Sequence, residues 1–585
     1  MISAPAGGSR RSGLALLGVA QLLFFGLSFH NFLAGSNLTA IAQNNTDVLI
    51  AAIGTAALVI SGNVDLSIGS QYALASVVTA DVAVHVPAPV AVLAAIAVGL
   101  AMGAFNGLLV VWLSISPLIV TIAMLAFYRG LAFAISGGNP VVVARSGFLR
   151  IGLERVADVP VTVIVGLVVF AVGAAFLMTS VTGLRLYAVG GNSESARLEG
   201  LPVRRLAVAT YAVNGALIGL VALLVSAQLG SGSANLGVDF EVSVLTAVIL
   251  GGVAFTGGLG SPIGVFVGVA VLAILQSGLL FEGLASWYQS MAQGALLVLA
   301  LAADQALARW RRAHAGRRDE RPESAAAGEP RTAPSSSAER EREALLEVTG
   351  MTVGYGTLTA LDQVDLVVRT GEVVCLVGDN GAGKSTLVKA VTGVLRPQAG
   401  SLRFAGEPLP PTAAEVRRRG IETVFQDLAL FPNLSVADNV TIGLEPRRRL
   451  AGLLPVRDHA AATALATARL RSLGSTIDPR RAISELSGGQ RQAVAIARVL
   501  RDDVRLVVLD EPTAALGARQ TEEVLNLIRA AATAGCGVLL VTHDIEDVFE
   551  VGDSVVVLGR GRVVTQRPVA AMDRLELVRA MSGRE

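Results

Sequence analysis

The sequence predicts a two-part fold, a polytopic α-helical membrane domain of about 8–10 spans followed by a soluble α/β domain built around a phosphate-binding loop. Three observations carry this expectation. The chain of 585 residues is 52% hydrophobic with a mean hydropathy of +0.61, but the long apolar runs are confined to residues 13–310. Residues 316–344 are polar and rich in Pro, Ser, Ala and mixed charge. Beyond them an apolar run, VVCLV at 373–377, leads at once into GDNGAGKST at 378–386. The boundaries that follow are 1–312 for the membrane domain, 313–344 for a flexible linker that cannot bury a core, and 345–585 for the soluble domain.

A span needs roughly 20 mostly apolar residues. Segments that satisfy this lie near 13–34, 47–62, 66–85, 88–114, 116–136, 160–180, 205–228, 240–258, 262–283 and 287–309. The first is read as an uncleaved helix, since it is longer than a signal-peptide core and no small-residue cleavage site closes it. Arg10 and Arg11, Arg197, Arg204 and Arg205, and Arg309, Arg311 and Arg312 mark three cytoplasmic regions by the positive-inside rule, so the number of spans is even. Arg145, Arg150 and Arg155 then fall in an external loop, offset in part by Glu154 and Asp158. The net charge of +1 is uninformative, and no basic tract stands beside aromatics to suggest nucleic acid, so no nucleic-acid partner is expected. Cys375 and Cys536 lack a CxxC or His neighbour and read as buried thiols in a reducing compartment.

Asp65 sits between two apolar segments in VISGNVDLSIGSQYALAS, residues 59–76. A carboxylate at membrane depth faces the bundle interior, a partner or water. Two roles fit, which do not exclude one another: a cap accepting the N–H of Ser67 or Ile68, or a group lining a transport path. Gly62, Gly69, Gly190, Gly191, Gly251, Gly252, Gly257 and Gly258 read either as close-packing positions or as breaks in discontinuous helices.

Four stretches in order, GNVDLSIGS at 62–70, NGLLVVWLSISPLIVTIAMLAFYRGLA at 106–132, YAVGGNSESARLEGLPVRR at 187–205 and VILGGVAFTGGLGSPIG at 248–264, resemble the permeases of bacterial ribose/xylose-class sugar importers. The resemblance implies that Asp65 lies on an inner, non-lipid surface, and that the 187–205 loop docks an ATPase.

In the soluble half, glycines at 378, 381 and 383 allow backbone N–H groups to turn inward around phosphates, and the helix that follows adds partial positive charge. The loop residues Gly378, Asp379, Asn380, Gly381, Ala382, Gly383, Lys384, Ser385 and Thr386 are the expected nucleotide cradle. Lys384 reaches the terminal phosphates and Ser385 ligates Mg²⁺. RLVVLDEP at 505–512 supplies a second buried strand ending in Asp510, expected to hold Mg²⁺ through water, and Glu511, expected to act on the attacking water.

LSGGQRQ at 486–492, with these two motifs, is similar to the signature of ABC transporter ATPases, and the likeness extends over 346–570. It implies that Ser487, Gly488, Gly489 and Gln490 complete the ATP site of an opposite subunit. It implies further that Gln426 senses the nucleotide, contacts the permease and ligates the metal, that His543 is the switch histidine, and that Tyr355 stacks on adenine. The stretch DEPTAALG departs from the usual pattern by placing Gly517 where an interfacial Asp is common.

Together the two halves imply an ATP-driven monosaccharide importer of the cytoplasmic membrane, with its ATPase in the cytoplasm. It would use ATP and Mg²⁺, act as a homodimer and draw substrate from an external sugar-binding protein. Rival readings are import of a branched-chain amino acid or nucleoside, an exporter, and an ATPase that regulates a membrane complex without moving solute.

Overall fold

The computed structural model describes residues 7–315, 343–356, 358–410, 412–450, 454–499, 501, 503–514 and 516–582. Most of the expected linker 313–344 lies outside the described residues. The chain divides into two compact units. Met1–Ser193, Pro202–Arg318 and Arg448–Arg457 form one, as far as they are described; Glu194–Leu201, Asp319–Arg447 and Asp458–Glu585 form the other. Two short segments thus group with the opposite half of the sequence.

In the first unit every apolar segment expected to span carries a helix. Among the described residues five are long and apolar enough to cross a membrane: Ala88–Leu113, Pro117–Ser136, Val161–Thr179, Val203–Leu229 and Pro262–Phe281. In three of these only 28% of the most apolar window is buried within the structure, so most of that surface needs a non-aqueous surrounding. Leu27, Trp112 and Val172 are among the large apolar side chains left exposed.

The first expected span ends earlier than the sequence suggested. Its helix ends at Ser28, Asn31 takes a left-handed φ of 71°, and a separate helix runs Gly35–Asn44. Likewise the 240–258 segment is helical only over Phe240–Leu250. There the chain breaks and restarts at Pro262–Phe281, as it breaks between Thr46–Ile60 and Ile68–His85.

The two breaks meet: the Gly258 N–H donates to Ile60 O at 2.8 Å. Gly190 packs so close to them that a Cβ would stand 1.8 Å from Ile60 O, a space only glycine tolerates. Both readings of the glycines therefore hold at these positions. A second contact of this kind joins Ala88–Leu113 to Val203–Leu229, where a Cβ on Gly103 would lie 2.1 Å from Tyr211 O.

The second unit contains a six-stranded sheet in the order Ile421–Val424, Leu506–Asp510, Gly537–Val541, Val373–Val377, Ser554–Gly559, Arg562–Pro568. All neighbours pair parallel except the last. Val373–Val377 and Leu506–Asp510 are buried along their whole length, which is why they read as continuous apolar runs rather than alternating ones. A four-stranded antiparallel sheet, Leu358–Arg369, Ala344–Tyr355, Ala399–Phe404, Glu407–Pro408, lies in the same unit. Cys375 is buried as expected, whereas Cys536 is only partly so, because it stands in the turn before the Gly537–Val541 strand.

Candidate functional site

Four neighbouring parallel strands end on one edge of the six-stranded sheet, and each is followed at once by expected site residues. Ile421–Val424 leads to Gln426, Leu506–Asp510 to Glu511, Gly537–Val541 to His543, and Val373–Val377 to the 378–386 loop. The carboxyl edge of a parallel sheet is where such folds bind ligands.

The loop has the backbone expected of a phosphate cradle. Gly378, Gly381 and Gly383 have φ of 149°, 82° and 106°, and a Cβ on Gly378 would stand 2.2 Å from Leu558 O. Gly383 precedes the helix Lys384–Val391. The Lys384 ammonium is buried inside the loop and donates to Gly378 O at 2.7 Å and Asp379 O at 3.1 Å. The Ser385 side chain is exposed at the first turn.

Glu511 is held from several sides. Its Oε2 accepts from Gln426 Nε2 at 3.1 Å, and its Oε1 lies 3.3 Å from His543 Nδ1. Its N–H donates to Val541 O at 2.9 Å, and its φ is +53°, a strained value for a residue with a Cβ. The structure thus brings Gln426, Glu511 and His543 together. Beside them burial, reinforced by the charge of Glu511, pushes the Asp510 carboxyl up to about 6, against the pull of Lys384.

Oxygen donors suit a hard cation such as Mg²⁺. Asp510 offers a carboxylate and Ser385 a hydroxyl. Gln426 commits its amide nitrogen to Glu511, which leaves its carbonyl oxygen for a metal. These groups fit such an ion in kind.

Tyr355 is half exposed and stands at the hairpin end of the antiparallel sheet, opposite Leu358. The same sheet supplies Ala360 O, which a Cβ on Gly383 would approach to 2.7 Å. Ser487 and Gln490 close the start of the helix Gly488–Val499 on themselves: Ser487 N–H donates to Gln490 Oε1 at 3.2 Å and Gln490 N–H to Ser487 Oγ at 3.4 Å. Among the described residues no hydrogen bond joins Ser487, Gly488, Gly489 or Gln490 to the 378–386 loop. Gly517 caps the helix Ala518–Thr533, with open space where a Cβ would point.

Sequence reasoning missed an ion cluster. Glu199 is buried and lies 2.8 Å from Arg417 Nη1 through Oε2 and 3.0 Å from Arg498 Nη1 through Oε1. Arg498 also donates to Leu428 O and Ala429 O, both at 2.9 Å, in the loop that follows Gln426. Burial pulls Arg498 below its ordinary pKa. Arg417 is also pulled down by burial, but Glu199 and Glu422 together leave it above its ordinary value. The segment Glu194–Leu201, inside the 187–205 loop expected to dock an ATPase, thus belongs to the nucleotide-site unit.

In the membrane-helix unit Asp65 is fully buried and accepts from Ser67 N–H at 2.9 Å, Ser67 Oγ at 2.6 Å and Gln71 Nε2 at 2.8 Å. Asn106 Nδ2 approaches it at 3.3 Å, and Tyr128 OH donates to Asn106 Oδ1 at 2.9 Å. The expected bond from the Ser67 N–H to Asp65 is therefore present, just ahead of the helix Ile68–His85 and within a wider polar network. Arg129, which the sequence did not single out, donates to Ala234 O and Leu236 O at 2.6 Å and to Gly237 O at 3.2 Å.

Comparison with known proteins adds two family matches. Residues 361–514 match the family described as ABC transporter, and residues 37–301 match the family described as branched-chain amino acid transport system / permease component. A fructose import ATP-binding protein of Rhizobium meliloti is 41% identical over 38% of this chain and 87% of its own length. A ribose import ATP-binding protein of Rubrobacter xylanophilus is 42% identical over 41% of this chain and 47% of its own. An arabinose import ATP-binding protein of Burkholderia thailandensis is 44% identical over 42% of this chain and 46% of its own. The chain thus spans about half the length of the ribose and arabinose proteins.

Proposed function

The chain belongs to the ABC transporter family, and from that membership we propose that it couples ATP hydrolysis to import of a monosaccharide across the cytoplasmic membrane. Two copies act together, each supplying a permease and a cytoplasmic ATPase, and a separate external protein delivers the sugar. The observation that carries this reading is the convergence of Gln426, Asp510, Glu511, His543 and the 378–386 loop at one sheet edge, in a chain that also carries five membrane-length apolar helices.

The proposed chemistry needs little beyond positioning and charge. Backbone N–H groups of the loop hold the phosphates, and Lys384 exchanges its carbonyl contacts for phosphate oxygens. Ser385, Asp510 and Gln426 would hold Mg²⁺, which would supply neutralising charge to the phosphates. Glu511 orients the attacking water, with His543 and Gln426 fixing its two carboxylate oxygens. Tyr355 stacks on the base. Ser487, Gly488, Gly489 and Gln490 close over the γ-phosphate of the opposite copy. Segment 194–201, pinned by Glu199, carries the resulting motion toward the membrane helices Val181–Gly191 and Val203–Leu229 that flank it in sequence. Asp65 and its polar partners shape the broken-helix interior.

The three sugar-import relatives favour a sugar; the description of the permease family favours a branched-chain amino acid as the second reading. The test is ATP-dependent uptake in proteoliposomes holding the purified chain, with each candidate external binding protein loaded with ribose, arabinose, fructose or leucine. Uptake of one sugar, with ATPase stimulation, is expected. Uptake of leucine alone would establish the second reading, and ATPase activity without uptake of any solute would overturn import.

A further inference from the structure

We propose that Gln492 is a positioning residue that links the signature helix to the catalytic carboxylate of its own cassette, and so links the two ATP sites of the dimer. The inference rests on the ATPase reading above and deepens it.

Gln492 lies one turn into the helix Gly488–Val499. Unlike Ser487 and Gly488 it is buried, and its Nε2 donates to Pro512 O at 2.6 Å. Pro512 is the residue after Glu511, so this bond fixes the peptide just beyond the left-handed φ of Glu511. An L-residue leaves that backbone region readily unless its surroundings hold it there. Here the hold has two sides: Glu511 N–H on Val541 O at 2.9 Å, and Gln492 on Pro512 O. Thr513 Oγ1, donating to the buried Asp547 at 2.6 Å, anchors the next residue to the segment after His543.

Of these anchors only Gln492 comes from the helix whose first residues face the opposite nucleotide in the proposed dimer. A shift of that helix on closing over a γ-phosphate pulls on Pro512 O and resets the Glu511 carboxylate in the other site. The usual interfacial Asp is replaced here by Gly517, which has no side chain to share that task. Gln492 provides a path that does not need it.

The test uses the full chain in nanodiscs. Gln492→Met keeps side-chain length and removes the donor. ATP turnover should fall about tenfold, with ATP affinity within about twofold of wild type and ATPase cooperativity reduced toward none. Should Gln492→Met fail to fold, Gln492→Asn, whose amide falls short of the carbonyl, carries the same expectation. Turnover within about twofold of wild type overturns the proposal, as does a parallel loss of turnover and ATP affinity, which would mark a merely structural role. A wild-type chain that hydrolyses no ATP would instead overturn the ATPase reading beneath it.

Discussion

Removing the Glu199 carboxylate should cost more than any other single change in the segment Glu194–Leu201. Its side chain is 4% exposed and faces two guanidiniums, Arg417 at 2.8 Å and Arg498 at 3.0 Å. At an effective dielectric near 20, each contact at that distance is worth at most about 6 kcal/mol. The desolvation of three buried charges takes back several kcal/mol of that sum, and removing one partner of such a cluster leaves a net cost of about 3–5 kcal/mol. The two arginines do not suffer equally. Arg417 keeps Glu422 at 3.1 Å, whereas among the described residues Arg498 keeps hydrogen bonds to the backbone carbonyls of Leu428 and Ala429. Most of the penalty therefore falls on Arg498, and through it on the loop after Gln426. In Glu199→Ala, hydrogen exchange over residues 193–202 and 426–430 should accelerate, and thermal unfolding of the nucleotide-site unit should begin earlier. Glu199→Leu combined with Arg498→Leu should recover much of the stability, since an apolar pair avoids the desolvation cost. A loss below about 1 kcal/mol in Glu199→Ala, with protection unchanged, would refute the clamp, because only a solvent-screened pair costs so little.

Glu511→Gln should lower ATP turnover by about a hundredfold or more while ATP binding persists, since the loop contacts are untouched; near-normal turnover would remove Glu511 from its proposed role. Gly517→Asp should fold, stabilise the helix Ala518–Thr533 by about 0.3 kcal/mol as a better cap, and retain ATPase activity, because among the described residues nothing stands within 4 Å of a Cβ there. Collapse of its turnover, measured beside its melting curve, would show that the proposed dimer interface is built around the glycine.

The parts legible in the sequence are those whose signal is local. Val373–Val377 is covered on both faces, so it is apolar without alternation, and the loop that follows must be glycine-rich because a Cβ on Gly378 would meet Leu558 O. The bond to Asp65 was readable for the same reason, since its acceptor and the Ser67 N–H are two residues apart. What the sequence hid depends on distant partners. Glu199 meets Arg417 across 218 positions, and nothing near either residue announces the other. Arg129 reaches Ala234 across 105 positions in the same way. Helix ends inside apolar runs, at Ser28 and Leu250, were hidden too, because hydropathy continues across them while backbone geometry does not.

The strain at Glu511 joins these two kinds of information. The DEP sequence announces a strand end and a carboxylate, but not a left-handed φ. Val541, Gln492, Gln426 and His543, from four other places in the chain, contact the residue or its neighbour in that conformation. A carboxylate held this way is poised: each restraint lies on an element with its own reason to move, the signature helix, the loop after Ile421–Val424 or the segment after Gly537–Val541. In the proposed mechanism, loosening any of them would let Glu511 relax and lose its aim at the attacking water. Catalysis in the proposed transporter is therefore conditional on several elements being in place at once, and this is the property a pump needs if ATP is not to be hydrolysed while the transport path is idle.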